Sequence, residues 1–118
     1  LPLLMIDRRL LAQALRNVLH NAILYTPAAT PVEIHVSLEN NILQIRVRDH
    51  GHGIPLESVD QLFDKFYRAP DSPAGGTGLG LAISRGFMRA MKGDIEAQNH
   101  PEGGAEFILH LPVKSRQA

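Results

Sequence analysis

The chain has 118 residues, 44% hydrophobic and 20% charged, enough for one domain with a real core and ordinary for a soluble globular protein. Twelve basic residues balance twelve acidic ones, so no charge footprint for nucleic acid or an anionic membrane surface is present, and the absence of Cys excludes a disulfide framework, a Cys-based zinc site and a Cys nucleophile. No run approaches the roughly 18 apolar residues of a membrane span, and no signal-peptide pattern is present.

The chain opens in mid-pattern with LPLLMID and reads as a single domain, residues 1–118, excised from something longer. Residues 2–6 read as a short strand. Asp7 is a good N-cap, and a helix is expected from Arg8 to Tyr25, stopped by Thr26-Pro27. Its apolar stripe is Leu11, Leu15, Val18, Ala22 and Tyr25. Asn17, Asn21 and Leu24 form a second stripe at i, i+4, i+7. At about 100° per residue this stripe lies beside the apolar one, so Asn21 falls at the rim of the core.

Two alternating segments follow. In VEIHVSLE, Val32, Ile34, Val36 and Leu38 share one face; in ILQIRVRD, Leu43, Ile45 and Val47 face inward, and Asn40-Asn41 between them suits the positive φ of a hairpin turn. Asp49 continues the phase of the inward set. A carboxylate at the core end of a strand is costly unless something hydrogen-bonds to it. From His50 to Thr77 the only periodic piece is a possible short helix, residues 56–63, and a loop that long reads as a functional lid. His50 and His52 lack a third ligand for a metal and are taken as solvent-facing lid residues. Residues 79–92 read as a helix with Leu79, Ile83, Phe87 and Met91 on one stripe and Gly93 as C-cap. Strands are expected at 94–98 and 105–113, joined by a turn over 100–104, and the tail Lys114–Ala118 as disordered. The strands have one apolar and one polar face, so helices can cover only one side. The predicted fold class is α/β (α+β), a two-layer sandwich with a mixed, mainly antiparallel sheet of about five strands and a long lid.

The stretch GGTGLGLAI, from Gly75 to Ile83, runs a glycine-dense loop directly into that second helix. Glycines let backbone N–H groups approach a ligand, and a helix N-terminus favours negative charge. It is not a P-loop, because no Lys lies between Lys65 and Lys92, and it is not a dinucleotide fingerprint, because Leu81 or Ile83 falls where the third glycine belongs.

Four features therefore stand in order: the Asn pair on the first helix, the inward Asp of DHGHGI, the aromatic-basic LFDKFYRA and the glycine loop GGTGLGL. In order and spacing they resemble the N, G1, F and G2 boxes of the catalytic, ATP-binding domain of sensor histidine kinases, within the gyrase, chaperone, histidine kinase and MutL ATPase superfamily. The resemblance covers essentially the whole chain, and the ending NHPEGGAEFILHLP further looks like potassium-responsive Kdp-type sensors.

What the resemblance implies is specific. Asp49 accepts the adenine amino hydrogen bond, with Gly51, Gly53 and Ile54 passing beside the base. Asn21 offers its side-chain oxygen to Mg²⁺, Asn17 contacts a phosphate and Tyr25 packs near the nucleotide. Gly76, Thr77, Gly78, Leu79, Gly80 and Leu81 form the phosphate loop, Phe63 and Phe66 clamp the lid to the body, and Arg68 neutralises γ-phosphate charge during transfer. The cofactors are ATP and Mg²⁺. The partners are an acceptor and dimerisation domain of the same chain or the dimer mate, and a response regulator downstream, with no nucleic acid and a monomeric isolated fragment. The domain is cytoplasmic, in a parent chain anchored in the bacterial inner membrane.

Three positions depart from the family pattern. His20 stands where many relatives have an acidic residue, Leu24 where many have Lys, and Ala105 where Ser or Thr is frequent. The first weighs against a water-activating clamp ATPase, and the second removes a positive charge from the phosphate site. None of His20, His35, His50, His52, His100 or His110 is followed by an acidic residue, so the family's acceptor His is not among them. The rival functions are an ATP-driven clamp, an anti-sigma protein-serine kinase and a non-catalytic ATP- or ADP-sensing module.

Overall fold

A computed structural model describes residues 3–5, 7–24, 30–65 and 80–116. Asp7 caps the first helix as its side chain predicts: Oδ1 accepts from the N–H groups of Arg9 at 3.1 Å and Leu10 at 3.2 Å. The described elements run β1 (Leu3–Met5), α1 (Arg8–Leu24), β2 (Glu33–Glu39), β3 (Ile42–Arg48), a 3₁₀ turn (Leu56–Gln61), α2 (Gly80–Ala90), β4 (Asp94–Asn99), β5 (Ala105–Pro112) and β6 (Lys114–Arg116).

The main sheet has four strands in the order β2-β3-β5-β4, every pair antiparallel. The expectation of a mixed sheet of about five strands is corrected accordingly. The expected first strand does form, but in a separate ribbon with β6, Leu3 opposite Arg116 and Met5 opposite Lys114. That ribbon also overturns the expected disorder of the tail over residues 114–116. The Val113 N–H donates to the Asn41 carbonyl at 2.9 Å, which pins the exit of β5 on the β2–β3 turn. A pairing between the two ends of the chain leaves no trace in local composition.

The β2–β3 turn is the one its sequence demands: Asn40 and Asn41 have φ 53° and 62°, the left-handed pair of a two-residue hairpin. On β3, Leu43, Ile45 and Val47 are buried as predicted, and Asp49 continues their face. Ile34, Val36 and Leu38 oppose those residues in register, so they do share the inner face. They remain exposed at 47%, 64% and 42%, because α1 and α2 pack over β3, β4 and β5 and β2 forms the sheet edge.

The helix stripes turn slightly from their expected centres. On α1 the fully buried residues are Ala14, Val18 and Ala22, with Leu11 and Leu15 at the margin. On α2 the buried residues are Leu81, Ser84 and Met88, whereas Ile83 is exposed. The reason is close helix packing at a small pair, where Ser84 Oγ donates to the Ala14 carbonyl at 2.9 Å. A hydrophobicity pattern passes over a serine whose hydroxyl is satisfied by a neighbouring helix.

At the end of α2 the left-handed residue is Lys92 (φ 67°) and not Gly93, the expected C-cap. Gly93 N–H donates to the Met88 carbonyl at 2.8 Å and Lys92 N–H to Arg89 at 3.0 Å, which is a Schellman ending. Glycine is required at 93 for another reason. A Cβ there would overlap the His110 carbonyl and lie 2.8 Å from Leu111 Cβ on β5.

Asp94, beginning β4, ties α2 to the sheet. It accepts from Arg85 at 3.0 Å, Arg89 at 3.4 Å and its neighbour Ile95 N–H at 2.8 Å. Burial works to raise its pKa, but the Ile95, Arg85 and Arg89 hydrogen bonds outweigh it and hold the carboxyl below the ordinary 3.8. A lowered folded pKa means stability that is complete above the unfolded value and lost as pH falls through the folded one. Melting temperature should therefore drop as pH falls below the ordinary 3.8, and Asp94→Asn should flatten that drop. An unchanged acid slope in Asp94→Asn would show that this carboxylate contributes nothing to it.

Candidate functional site

Asp49 is 3% exposed, and its burial is compensated in full view. Oδ1 accepts from Gly51 N–H at 2.9 Å and Ala105 N–H at 3.0 Å, and the Asp49 N–H donates to the Ala105 carbonyl at 2.9 Å. The carboxylate is thus fixed between its own loop and the first residue of β5. Both bonds use Oδ1, and no bond to Oδ2 is seen among the described residues.

Two residues outside the expected set build this corner. Gly104 (φ 81°) packs so tightly that a Cβ would overlap the Asp49 carbonyl oxygen and lie 2.8 Å from its carbon. Asn99, the last residue of β4, binds the backbone of Ile54 through its side-chain amide. The Gly103-Gly104 pair was a turn signal in the sequence, but nothing local said which strand end it abuts.

His50 corrects the expectation of a solvent-facing lid residue. It is half-buried, and its Nε2–H donates to Glu33 Oε2 at 2.8 Å. Arg48 approaches the same oxygen at 3.6 Å and also donates to the Gly103 carbonyl at 3.1 Å. The His50 hydrogen bond, helped by the positive charges of His50, Arg48 and His35, keeps Glu33 below its ordinary 4.5. His52 is exposed, as expected.

The beginning of the expected lid belongs to the body. Leu56–Gln61 forms a 3₁₀ turn in place of the predicted helix over 56–63, Ser58 is buried, and Ile54, Leu62 and Phe63 pack on the core. The Phe63 ring lies under the Arg85 guanidinium, 4.3 Å from carbon to centroid. Arg85 is itself held by Asp94 and the Ile95 carbonyl, so Phe63 is anchored on α2.

On the other side, Asn17 and Asn21 are both half-buried on α1, one turn apart. Asn17 Nδ2 donates to the Gly80 carbonyl at 3.4 Å, and its Oδ1 accepts from Gln13 at 3.3 Å. The Asn face of α1 therefore meets the start of α2, where the glycine loop ends and where Leu81 enters the core. Tyr25, Phe66, Arg68, Gly76, Thr77, Gly78 and Leu79 lie outside the described residues. Among the described residues no group of three His, Asp or Glu is placed to hold a metal. A neutral amide oxygen such as that of Asn21 suits Mg²⁺ that keeps its waters and takes its other ligands from phosphates.

Residues 6–115 match the family of histidine kinase-, DNA gyrase B- and HSP90-like ATPases. The chain belongs to this family. It is 40% identical to the sensor histidine kinase WalK of Bacillus subtilis over 95% of its own length and 19% of that protein's. It is 41% identical to the sensor protein KdpD of Escherichia coli over 98% of its length and 13% of that protein's. The Kdp-type likeness thus stands level with the WalK one. Among solved structures, the mycobacterial sensor histidine kinase MprB superposes with a TM-score of 0.86 at 25% identity, covering 95% of this chain and 78% of that one. The full-length ShkA kinase in complex with AMPPNP gives 0.83 at 29% identity, covering 100% and 24%. As a histidine kinase-type ATPase domain, the chain corresponds to a small share of the curated sensor kinases it matches. Among the described residues, no helix is long and apolar enough to cross a membrane.

Proposed function

We propose that this chain binds ATP with Mg²⁺ and donates the γ-phosphoryl group to a histidine on a separate acceptor and dimerisation domain, of its own chain or the dimer mate. A response regulator then takes the phosphoryl group, within a two-component pathway. The observation that carries the reading is Asp49, a buried carboxylate with one oxygen fixed by two backbone N–H groups. Such a group accepts the adenine amino hydrogen and repels the guanine carbonyl at the same position. In the assigned roles Gly51, Gly53 and Ile54 pass beside the base, Asn17 and the loop from Gly76 to Leu81 hold phosphates, and Tyr25, Phe63 and Phe66 enclose the nucleotide. Mg²⁺, when bound, supplies charge neutralisation on the phosphates, with Asn21 as its protein ligand.

The transfer is an in-line displacement. A ring nitrogen of the acceptor histidine forms a bond to the γ-phosphorus, and the bond from that phosphorus to the β,γ-bridging oxygen breaks. ADP leaves with the electron pair, and Arg68 balances the charge that develops on the equatorial oxygens. The parent chain is proposed to be anchored in the bacterial inner membrane, with this domain in the cytoplasm.

Binding and reaction are tested separately. Asp49→Asn replaces an acceptor by an amide that can donate, and should weaken ATP binding by about 1–3 kcal/mol while leaving GTP unchanged. Equal ATP and GTP affinity in the unaltered chain would remove the adenine role. With radiolabelled ATP and the native acceptor domain, the product should be acid-labile and alkali-stable phosphohistidine. Acid-stable product would assign a serine kinase, and no product a nucleotide-sensing module.

A further inference from the structure

Asn99 grips Ile54 from both sides. Ile54 N–H donates to Asn99 Oδ1 at 2.6 Å, and Asn99 Nδ2 donates to the Ile54 carbonyl at 3.0 Å. A carboxamide is the side chain that closes this two-way pair with one residue's backbone; a carboxylate has no donor for the carbonyl. Gly53, immediately before, is fitted to it: a Cβ there would lie 2.6 Å from Asn99 Oδ1, at a φ of 87°.

Asn99 also stands opposite Ala105 in the β4–β5 ladder. Ala105 N–H is the donor that holds Asp49 Oδ1. One rung of the sheet therefore secures both ends of the segment 49–54, Ala105 its first residue and Asn99 its last. Between those ends the Gly51 N–H turns back to Asp49, and His52, among the described residues, bonds its own neighbour, Gly53, at 3.0 Å. The loop crosses from β3 to the edge of β4 with its span set by that rung.

We infer that Asn99 is a positioning residue for adenine: by fixing Ile54 it sets how closely the Gly51–Gly53 backbone passes beside the carboxylate that selects the base. This rests on the reading of Asp49 as the adenine acceptor. Asn99 acts through the loop and touches no reacting atom. Because its side chain is exposed, its replacement removes the clamp without opening the core.

The experiment measures ATP and GTP affinity by calorimetry, together with amide exchange at Ile54, in the unaltered chain, Asn99→Ala, Asn99→Asp and Asp49→Asn. Asn99→Ala should weaken ATP about three- to tenfold, leave GTP unchanged and speed exchange at Ile54. Asn99→Asp, which keeps the volume and the acceptor but loses the donor, should shift both readouts in the same direction. Gly53→Ala should cost less in the Asn99→Ala background than alone, since the clashing Oδ1 is gone and only the backbone strain remains. An unchanged ATP:GTP ratio in Asn99→Ala, or a parallel fall for both nucleotides, overturns the proposal whatever the exchange rate. If Asp49→Asn narrows the ratio and Asn99→Ala does not, the clamp alone fails. If Asp49→Asn leaves the ratio intact, the adenine reading fails and the clamp's role falls with it.

Discussion

Replacing Gly104 by Ala is expected to lower stability by about 3–5 kcal/mol and the melting temperature by roughly 10–20 °C. Two costs add. The residue has φ 81°, a conformation that strains any side chain bearing a Cβ. The new methyl would also overlap the Asp49 carbonyl oxygen, with 2.8 Å to the Asp49 carbon and 3.2 Å to His50 Cα. Neither atom can retreat cheaply, because Asp49 is bonded to Ala105 through its N–H and Oδ1 alike. The relief that remains is to push Asp49 off β5, so any folded fraction should have lost its preference for ATP over GTP. Gly103, the preceding residue, with φ 104°, has open space around its Cβ position, and Gly103→Ala should show the backbone strain alone. A Gly104→Ala protein melting within about 2 °C of the unaltered chain would mean that the strand ends separate more readily than this packing allows.

Asn21→Ala is expected to abolish phosphohistidine formation with the native acceptor domain while leaving the fold intact. Asn21 is half-buried on α1, one turn beyond Asn17, so truncation removes a polar group at the rim and opens no cavity in the core. If its oxygen is a Mg²⁺ ligand, the loss has a signature apart from activity: adding Mg²⁺ should no longer improve ATP affinity, whereas ATP binding without Mg²⁺ should be nearly unchanged. Asn21→Asp, which restores an oxygen ligand, should recover part of the Mg²⁺ dependence. Arg68→Ala should behave differently, slowing transfer more than it weakens binding, since its charge is needed where negative charge develops. A Mg²⁺ dependence that survives Asn21→Ala would move the metal to other ligands.

The sequence by itself determined the parts whose signal is local. Alternation along 42–49 put Leu43, Ile45, Val47 and Asp49 on one buried face, Asn40-Asn41 set the hairpin turn, and Asp7 opened α1. The order of the Asn pair, the inward Asp, the aromatic-basic segment and the glycine loop was enough to point to the family. Tertiary structure decided whatever depends on a partner far along the chain. Gly104 and Asp49 meet only because β3 and β5 are neighbours in the sheet, and Asn99 reaches Ile54 only because β4 lies beside β5. His50 becomes half-buried because β2 brings Glu33 to it, and Ser84 enters the core because α1 offers the Ala14 carbonyl. Residues 114–116 become a strand because the other end of the chain supplies hydrogen-bond partners. Periodicity reports the face a residue presents, which is a property of a few consecutive positions. What meets that face is set by strand order and helix packing, and a hydrogen bond across 45 residues, as between Asn99 and Ile54, has no local signature.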